Sequence, residues 1–367
     1  MTVATRRTLD RTRRRLRWFG LLAFATIVAI TAPSDAVAAP SDGNPVIVRA
    51  FDHTPVYFLS DDSQRDVFVG AEFPTEGEYT RITMNIRLDC PTGGCDPWDR
   101  YGTIGVVTSP EGDDQSATVI ELARFMTPYG IGGRWSLDVT DLRPLLTGEV
   151  TLAASIDTWV GPGSSGGAGW QLSTWFAMTP GSPARQAVAV VPVWSPREVR
   201  YGDPIVPTAV DAPTVTLDLP AAARYSLRTF ITGHGQGNED DCSEFCPRVH
   251  TIRVNGARRD HLVWRNDCAT TGVKGQRGNY WYSRAGWCPG SLVKPWDVDV
   301  SRDITGNSAR IAYSVTPYVN GCRPGADPFI PATCTLGTSA EYDGGRHTPP
   351  IYRLSTVLIA YQERAPR

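Results

Sequence analysis

Asp99, Asp157 and Glu244 are carboxylates that each sit by an aromatic residue. Asp99 follows Trp98, Asp157 lies two positions before Trp159, and Glu244 precedes Phe245. A carboxylate can activate water or protonate a leaving group when burial and neighbouring charges tune its pKa. Arg100 directly follows Asp99, and Arg284 opens the segment Arg284-Ala-Gly-Trp-Cys-Pro-Gly290. Guanidinium groups hold such acids ionised and oriented, or bind substrate hydroxyls and carbonyls. Flat aromatic faces suit the apolar faces of pyranose rings. The pattern points to a rigid, carbohydrate-facing site. Asp99, Glu244 and Asp157 are its candidate catalytic groups, and Trp98, Arg100, Trp159 and Arg284 its candidate substrate contacts. The plainer alternative is solvated loop charges and tryptophans packed in a core.

Other chemistries lack their parts. The Gly-x-Ser-x-Gly string Gly163-Ser164-Ser165-Gly166-Gly167 lies in a glycine-rich stretch that no helix pattern follows, so it is not read as a nucleophile elbow, and thiols held in disulfides leave no cysteine nucleophile. The five histidines (His53, His234, His250, His261 and His347) are scattered, without His-Glu-x-x-His or His-x-His, so a histidine-metal centre has little support. His250 falls in a strand pattern and reads as a satisfied structural residue. The glycine-rich stretch 161–169 lacks the Gly-Lys-Ser/Thr ending of a phosphate cradle and is expected to be a mobile surface loop.

The elements that must position these groups are partly covalent. Cys90 and Cys95 bracket a tight loop just before Trp98-Asp99-Arg100, and Cys242 and Cys246 enclose Glu244. With Cys268, Cys288, Cys322 and Cys334 the count is eight, and an even count in an exported chain reads as four disulfides. Many connectivities are open to eight cysteines, and sequential pairing is the simplest. Zinc is the competing use of Cys-x4-Cys and Cys-x3-Cys, but no nearby histidine completes a finger spacing.

Around the loops, strand patterns recur. Ile82, Met84, Ile86 and Leu88 alternate with Thr83, Asn85, Arg87 and Asp89, as a strand with one buried face requires. Stretches 214–219, 225–232, 250–254, 310–315 and 355–361 read similarly, separated by Gly and Pro clusters. One short helix is expected within 138–148, stopped by Gly148. The chain is therefore expected to be all-β, a sandwich or jelly roll. About 325 residues after the leader exceed one comfortable core, so two domains are expected, 39–180 and 186–363, divided at the Pro-rich stretch 179–185.

Residues 1–38 read as a signal peptide: an Arg-rich start, an apolar run from Trp18 to Ala32, and Ala36-Val37-Ala38 as a cleavage site. The apolar run is shorter than the roughly 20 residues that a spanning helix needs. The Arg-rich start also resembles a twin-arginine signal. The mature protein is expected to be secreted and soluble, without membrane association. The leader carries seven Arg and only two Asp, so the mature chain is more acidic than the whole chain's formal −2. An acidic chain without a basic stripe argues against nucleic-acid partners.

The motifs resemble the peptide-N-glycosidase F family at many points in order. They are Cys-x4-Cys-Asp-x-Trp-Asp-Arg-Tyr at 90–101, Arg124-Phe-Met-Thr-Pro-Tyr129, Asp138-Val-Thr-Asp141 with Leu145-Leu146-x-Gly148, and Asp157-Thr-Trp159. Val190-Val-Pro-Val193, Cys242-x-Glu-x-Cys246, His250-Thr-Ile252 and Arg284-Ala-Gly-Trp-Cys-Pro-Gly290 come next. Order and spacing hold from about residue 50 to 360, with insertions.

The resemblance implies two side-by-side eight-stranded antiparallel jelly rolls with the active site between them. It implies a secreted amidase, needing no cofactor or metal and acting on N-linked glycoproteins or glycopeptides; a monomer is expected. The amide joining Asn to the innermost N-acetylglucosamine is hydrolysed, Asn becomes Asp, and the glycan leaves as a glycosylamine. Asp99 matches the primary catalytic aspartate and Arg100 the arginine beside it. Glu244 matches a glutamate that recognises the core disaccharide, Arg284 an arginine contacting the catalytic carboxylate, and Trp159 an aromatic beside the substrate groove. Family disulfides map onto Cys90–Cys95, Cys242–Cys246 and Cys268–Cys288, while Cys322 and Cys334 have no counterpart and are expected to form a local bridge.

Three departures matter. Asp157 stands where the family has Glu, retracting a carboxyl by roughly 1.5 Å, and a misplacement of that size can cost on the order of 100-fold. Phe245 replaces a tryptophan. Gly233-His234-Gly235-Gln236 replaces Gly-Trp-Gly-His. A catalytically weak glycan-binding member is the main alternative. A copper-dependent monooxygenase, another paired jelly roll, is disfavoured by the missing His-x-His.

Overall fold

The computed structural model describes residues 43–108, 118–203, 206–236, 242–320 and 350–363. The expected leader and the expected Cys322–Cys334 bridge lie outside the described residues. Strands dominate, as the period-two patterns require. The first half holds β1 (Val46–Arg49), β2 (Thr54–Phe58), β3 (Ser63–Gln64), β4 (Asp66–Phe73), β5 (Tyr79–Asp89), β6 (Tyr101–Thr108), β7 (Thr118–Met126), β8 (Gly133–Asp138), β9 (Gly148–Ile156) and β10 (Trp170–Pro180). The second holds β11 (Gln186–Arg200), β12 (Val215–Asp218), β13 (Arg224–His234), β14 (Arg248–Val254), β15 (Ala257–Val263), β16 (Ser291–Leu292), β17 (Trp296–Asp299), β18 (Ser308–Val315) and β19 (Ile351–Gln362).

All pairings are antiparallel. In the first sandwich a sheet ordered β3-β2-β10-β5-β8, with β1 also on β10, faces a sheet ordered β16-β7-β6-β9-β4. In the second, β11-β19-β13-β17 faces β12-β18-β14-β15. The alternation read in β5 is real: Ile82, Met84, Ile86 and Leu88 are buried in the first core. The expected short helix is instead a 3-10 turn over Thr140–Leu145 with Pro144 inside it. A proline there has no N–H to give and crowds the preceding turn, which suits a short tight turn better than an α-helix.

Within the stretch 161–169 residues 162–166 lie at the surface, as expected of a surface loop, whereas its ends, Gly161 and residues 167–169, are buried. Gly167 has φ +122°, and a Cβ there would lie 2.4 Å from the Cys95 carbonyl oxygen. Ala168 also donates its N–H to the Gly94 carbonyl at 2.8 Å. The end of this stretch is therefore a wall supporting the first cysteine loop.

The two sandwiches meet through strands with both faces covered. Along β19, Tyr352, Leu354, Leu358 and Ala360 enter the second core, whereas Val357, Ile359 and Tyr361 join the first. On β13, Leu227 and Ile231 point to their own core, and the residues that follow them, Arg228 and Thr232, reach first-half partners. A buried ion pair sits in this interface. Arg124 on β7 bonds Glu121 at 2.7 Å, Thr232 at 3.0 Å and the Arg353 carbonyl at 2.7 Å. Glu121 also accepts from Ser355. Removing one partner would leave a buried charge uncompensated, so the network resists any shift of the halves.

The excursion 264–296 crosses back to the first sandwich. β16 adds to the edge of β7, pairing Ser291 with Met126. Val293 donates to the Arg124 carbonyl at 2.8 Å, Gly290 to Thr127 at 3.2 Å, and Trp135 Nε1 to Gly290 at 3.2 Å. Cys268–Cys288 ties the excursion together. Arg284 is carried on it.

Candidate active site

The loop carrying Asp99 is built around its neighbour Asp96, which is fully buried. Asp96 accepts from the Trp98 N–H at 2.9 Å, Arg100 Nε at 2.7 Å and Thr158 Oγ1 at 2.7 Å. It therefore ties the loop before β6 to the loop after β9, the one holding Asp157 and Trp159. The Cys90–Cys95 bridge closes the chain immediately before it. The Arg100 guanidinium thus serves Asp96, and the cation against Asp99 is Arg284, at 4.0 Å.

Glu244 is held as firmly. The Cys242–Cys246 bridge closes its loop, and Ser243 adopts φ +89°. A Cβ on Gly233 would stand 1.7 Å from the Ser243 carbonyl oxygen, so only glycine allows this approach. Ala285 donates to the Glu244 carbonyl at 2.8 Å, and Trp287 Nε1 to the Gly233 carbonyl at 2.7 Å. The Glu244 carboxylate accepts from the Gly235 N–H and Gln236 Nε2, both at 3.3 Å. The departing Gly233-His234-Gly235-Gln236 segment is therefore a direct support of this acid. His234 stacks on Trp287 with ring centres 5.5 Å apart, and burial holds its pKa well below the ordinary value.

Arg284 links the two acids. Its Nε lies 3.6 Å from Glu244, and the guanidinium donates to the carbonyls of Asn279 (3.2 Å) and Tyr282 (3.0 Å). It lies over Phe245 at 5.3 Å and Trp287 at 4.9 Å, so the phenyl that replaces a family tryptophan still gives the cation an aromatic face. Tyr129 bonds Asp99 on another side. Burial raises the pKa of Asp99 despite Arg284 and Tyr129. Burial and the nearby Asp99 charge push Glu244 up to about 7. Two poorly solvated acids thus share one cation, at 4.0 and 3.6 Å, and burial favours the protonated form of each.

Asp157 has different company. Its carboxylate meets Arg353 of β19 at 2.6 Å, and Arg353 also contacts Glu198 at 3.2 Å and covers the Tyr101 ring at 4.0 Å. Trp98 and Trp159 are both more than half exposed. Trp159 packs edge-on against Phe58, and Arg65 lies over both rings at 4.3 Å. His250 is structural in its setting: fully buried, bonded to the Tyr313 hydroxyl at 2.6 Å, with its pKa pushed down to about 3 by burial. Among the described residues, Asp267, Cys268 and Cys288 lie close enough to share an ion, but both cysteines are bridged and offer no thiolate.

Asp96, Tyr129 and Arg353 were not singled out from sequence. Asp96 carried a local signal, since an Asp two residues before an N–H commonly bonds it. Arg353 carried none, because its partner is nearly two hundred positions away.

Comparison with known proteins gives one consistent result. Models of the N-terminal and C-terminal parts of peptide-N-glycosidase F match residues 111–165 and 206–333. Peptide-N(4)-(N-acetyl-beta-D-glucosaminyl)asparagine amidase F of Elizabethkingia miricola is 30% identical over 309 residues, covering 78% of this chain and 81% of that protein. The chain belongs to the peptide-N-glycosidase F family. Family membership places it among hydrolases that act on an amide bond. The fold agrees with that of PNGase F, a glycosylasparaginase from Flavobacterium meningosepticum, at TM-score 0.69 and 26% identity, covering 88% of this chain and 97% of that one. A second structure, recombinant peptide: N-glycanase F, superposes at TM-score 0.70 with the same coverage and identity. The peptide-N-glycosidase F fold of two antiparallel sandwiches is thus present here.

Proposed function

We propose that this protein hydrolyses the amide between Asn and the innermost N-acetylglucosamine of N-linked glycoproteins or glycopeptides, leaving Asp and releasing the intact glycan. The observation that carries this reading is Arg284 standing between Asp99 and Glu244, with acids from opposite sandwiches meeting at one cation. Asp99 is the general base. Its raised pKa makes it a stronger proton acceptor, while Tyr129 and Arg284 keep it oriented. It takes a proton from water as the oxygen attacks the amide carbon. The C–N bond then breaks, and the proton returns to the departing nitrogen. Water and amide become a carboxylic acid and a glycosylamine, so the atoms balance.

Glu244, titrating near neutrality, is protonated in part of the population and can donate as well as accept a hydrogen bond to sugar oxygens. Trp98 and Trp159 offer rings to the substrate, Arg100 acts by holding the Asp99 loop through Asp96, and Asp157, held by Arg353, orients substrate. The Arg-rich leader supports export, and the sheet topology supports a domain boundary within 181–185, between β10 and β11. No helix among the described residues is long and apolar enough to cross a membrane.

The test is incubation with a denatured N-glycoprotein followed by peptide mass measurement. The expected product carries Asp where the glycosylated Asn stood, with no sugar left. A residual N-acetylglucosamine would assign glycosidic cleavage instead. Bound but unchanged glycopeptide would favour the glycan-binding alternative.

A further inference from the structure

Three tryptophans among the described residues are at least half exposed: Trp98, Trp159 and Trp281. Each lies within three positions of a candidate site residue, namely Asp99, Asp157 and Arg284. Leaving such large rings in water forgoes burial, and a ligand that covers them regains it. Trp98 and Trp159 belong to the site already described. Trp281 does not, and it comes with Tyr282, which is 52% exposed. Tyr280 meets Trp281 edge-on at 5.5 Å, and Trp281 meets Tyr282 at 5.6 Å with their planes tilted by 44°.

This aromatic run is fixed to the partners of Asp99. Arg277 donates its N–H to the Tyr129 carbonyl at 3.2 Å. Gly278, at φ +88°, lies so close that a Cβ would stand 2.9 Å from the Tyr129 ring. Beyond the run, Arg284 grips the carbonyls of Asn279 and Tyr282. The segment therefore runs from Tyr129 to Arg284 with backbone carbonyls turned to the site and the Trp281 and Tyr282 rings left for solvent, Tyr280 being half-buried beside them. Acids and guanidinium groups can hold the innermost sugar, whereas this aromatic run offers no charged group, only ring faces with the hydroxyls of Tyr280 and Tyr282. It suits ring faces of sugars further out.

We propose that Tyr280, Trp281 and Tyr282 form a saccharide platform for glycan residues beyond the two innermost. This rests on the amidase reading above. The kinetic test uses one peptide carrying either a full N-glycan or only the innermost disaccharide, with Trp281→Ala and Trp281→Phe proteins. Trp281→Ala should raise KM for the full glycan about tenfold, the equivalent of ~1.4 kcal/mol, with kcat nearly unchanged. The disaccharide substrate should show no change, and Trp281→Phe should restore most of the loss. An equal loss on both substrates, or none on either, overturns the platform; so does a loss that follows peptide length.

Calorimetry with the free full oligosaccharide and the free disaccharide separates this from the amidase reading. A wild-type protein that binds the larger sugar more tightly, and loses that preference in Trp281→Ala, supports the platform even if no turnover occurs. Equal binding of the two sugars by the wild type overturns it even if turnover is normal.

Discussion

Arg353 and Arg284 each face two acids, and they treat them differently. Arg353 meets Asp157 at 2.6 Å and Glu198 at 3.2 Å, in a setting where the Asp157 side chain is 38% exposed. Arg284 faces Asp99 at 4.0 Å and Glu244 at 3.6 Å, where those side chains are 15% and 11% exposed. Arg284 spends its best hydrogen bonds on the carbonyls of Asn279 and Tyr282 rather than on the acids. The Arg353 cluster is thus a direct ion pair with access to water. The Arg284 cluster is a desolvated site with more acid than close cation, and there both acids titrate above their ordinary range. Burial and contact distance, more than the number of charges, separate an acid poised for proton transfer from one that is held.

The comparison breaks most sharply at Asp99. Asp99→Asn keeps the shape and removes the base proposed above, so turnover should fall on the order of a thousandfold or more. Thermal stability at neutral pH should hold or rise, because a poorly solvated charge has gone. Near-normal turnover in this variant would move the reaction away from the Arg284 cluster.

Arg284→Ala should come next, with a loss of several hundredfold by order of magnitude and about 3 kcal/mol of stability from two acids left facing each other. The apparent pKa of the activity profile should also rise, since both acids lose the cation that favours their charged forms. A large activity loss with an unmoved pH profile would make Arg284 a scaffold only.

Glu244→Ala should cost about a hundredfold, chiefly in KM, if its role is sugar recognition. The isosteric Glu244→Gln isolates its proton. Its folded pKa of about 7 stands above the ordinary 4.5. The unfolded chain therefore loses this proton first, and the stabilising contribution, full below 4.5, declines as pH rises and is gone above about 7. Melting temperature measured across that window should fall less steeply in Glu244→Gln than in the wild type. Identical slopes would mean that Glu244 titrates as an ordinary carboxylate.

How much of the site was legible in the sequence depends on the range of each interaction. Asp99 and Glu244 stand beside cysteine pairs only a few positions apart, so the staple and the acid are visible in one glance. β5 was visible because one face is wet and one dry. Stretch 355–361 reads as a similar strand with one buried face, but within β19 Val357, Ile359 and Tyr361 are buried as well as Leu358 and Ala360, because the first sandwich packs on the face turned away from its own core. Arg100 and Arg284 were both expected to serve the acids. Choosing between them needed the fold, because Arg100 turns back to Asp96 while Arg284 arrives on a distant excursion. Trp281 and Tyr282 were passed over for the same reason, since exposure is not written in residue type.

The smallest expected effect sharpens the comparison from the other side. Asp157 is one methylene shorter than the family's glutamate, which alone would suggest that Asp157→Glu restores reach and activity. The structure shows what occupies the difference: Arg353 at 2.6 Å, anchored in turn on Glu198 and lying over Tyr101. A glutamate must either push this guanidinium back or bend aside, but the site is partly open to water and can adjust. Asp157→Glu should therefore change kcat/KM by less than about tenfold, or ~1.4 kcal/mol. Arg353→Ala should cost more, because it frees the acid and uncovers the Tyr101 ring. Combining the two changes decides the matter. If Arg353 positions the acid, Asp157→Glu will matter differently once Arg353 is gone, and the effects will not add. Strict additivity would show that Arg353 only braces the interface, and that the shorter acid works without it.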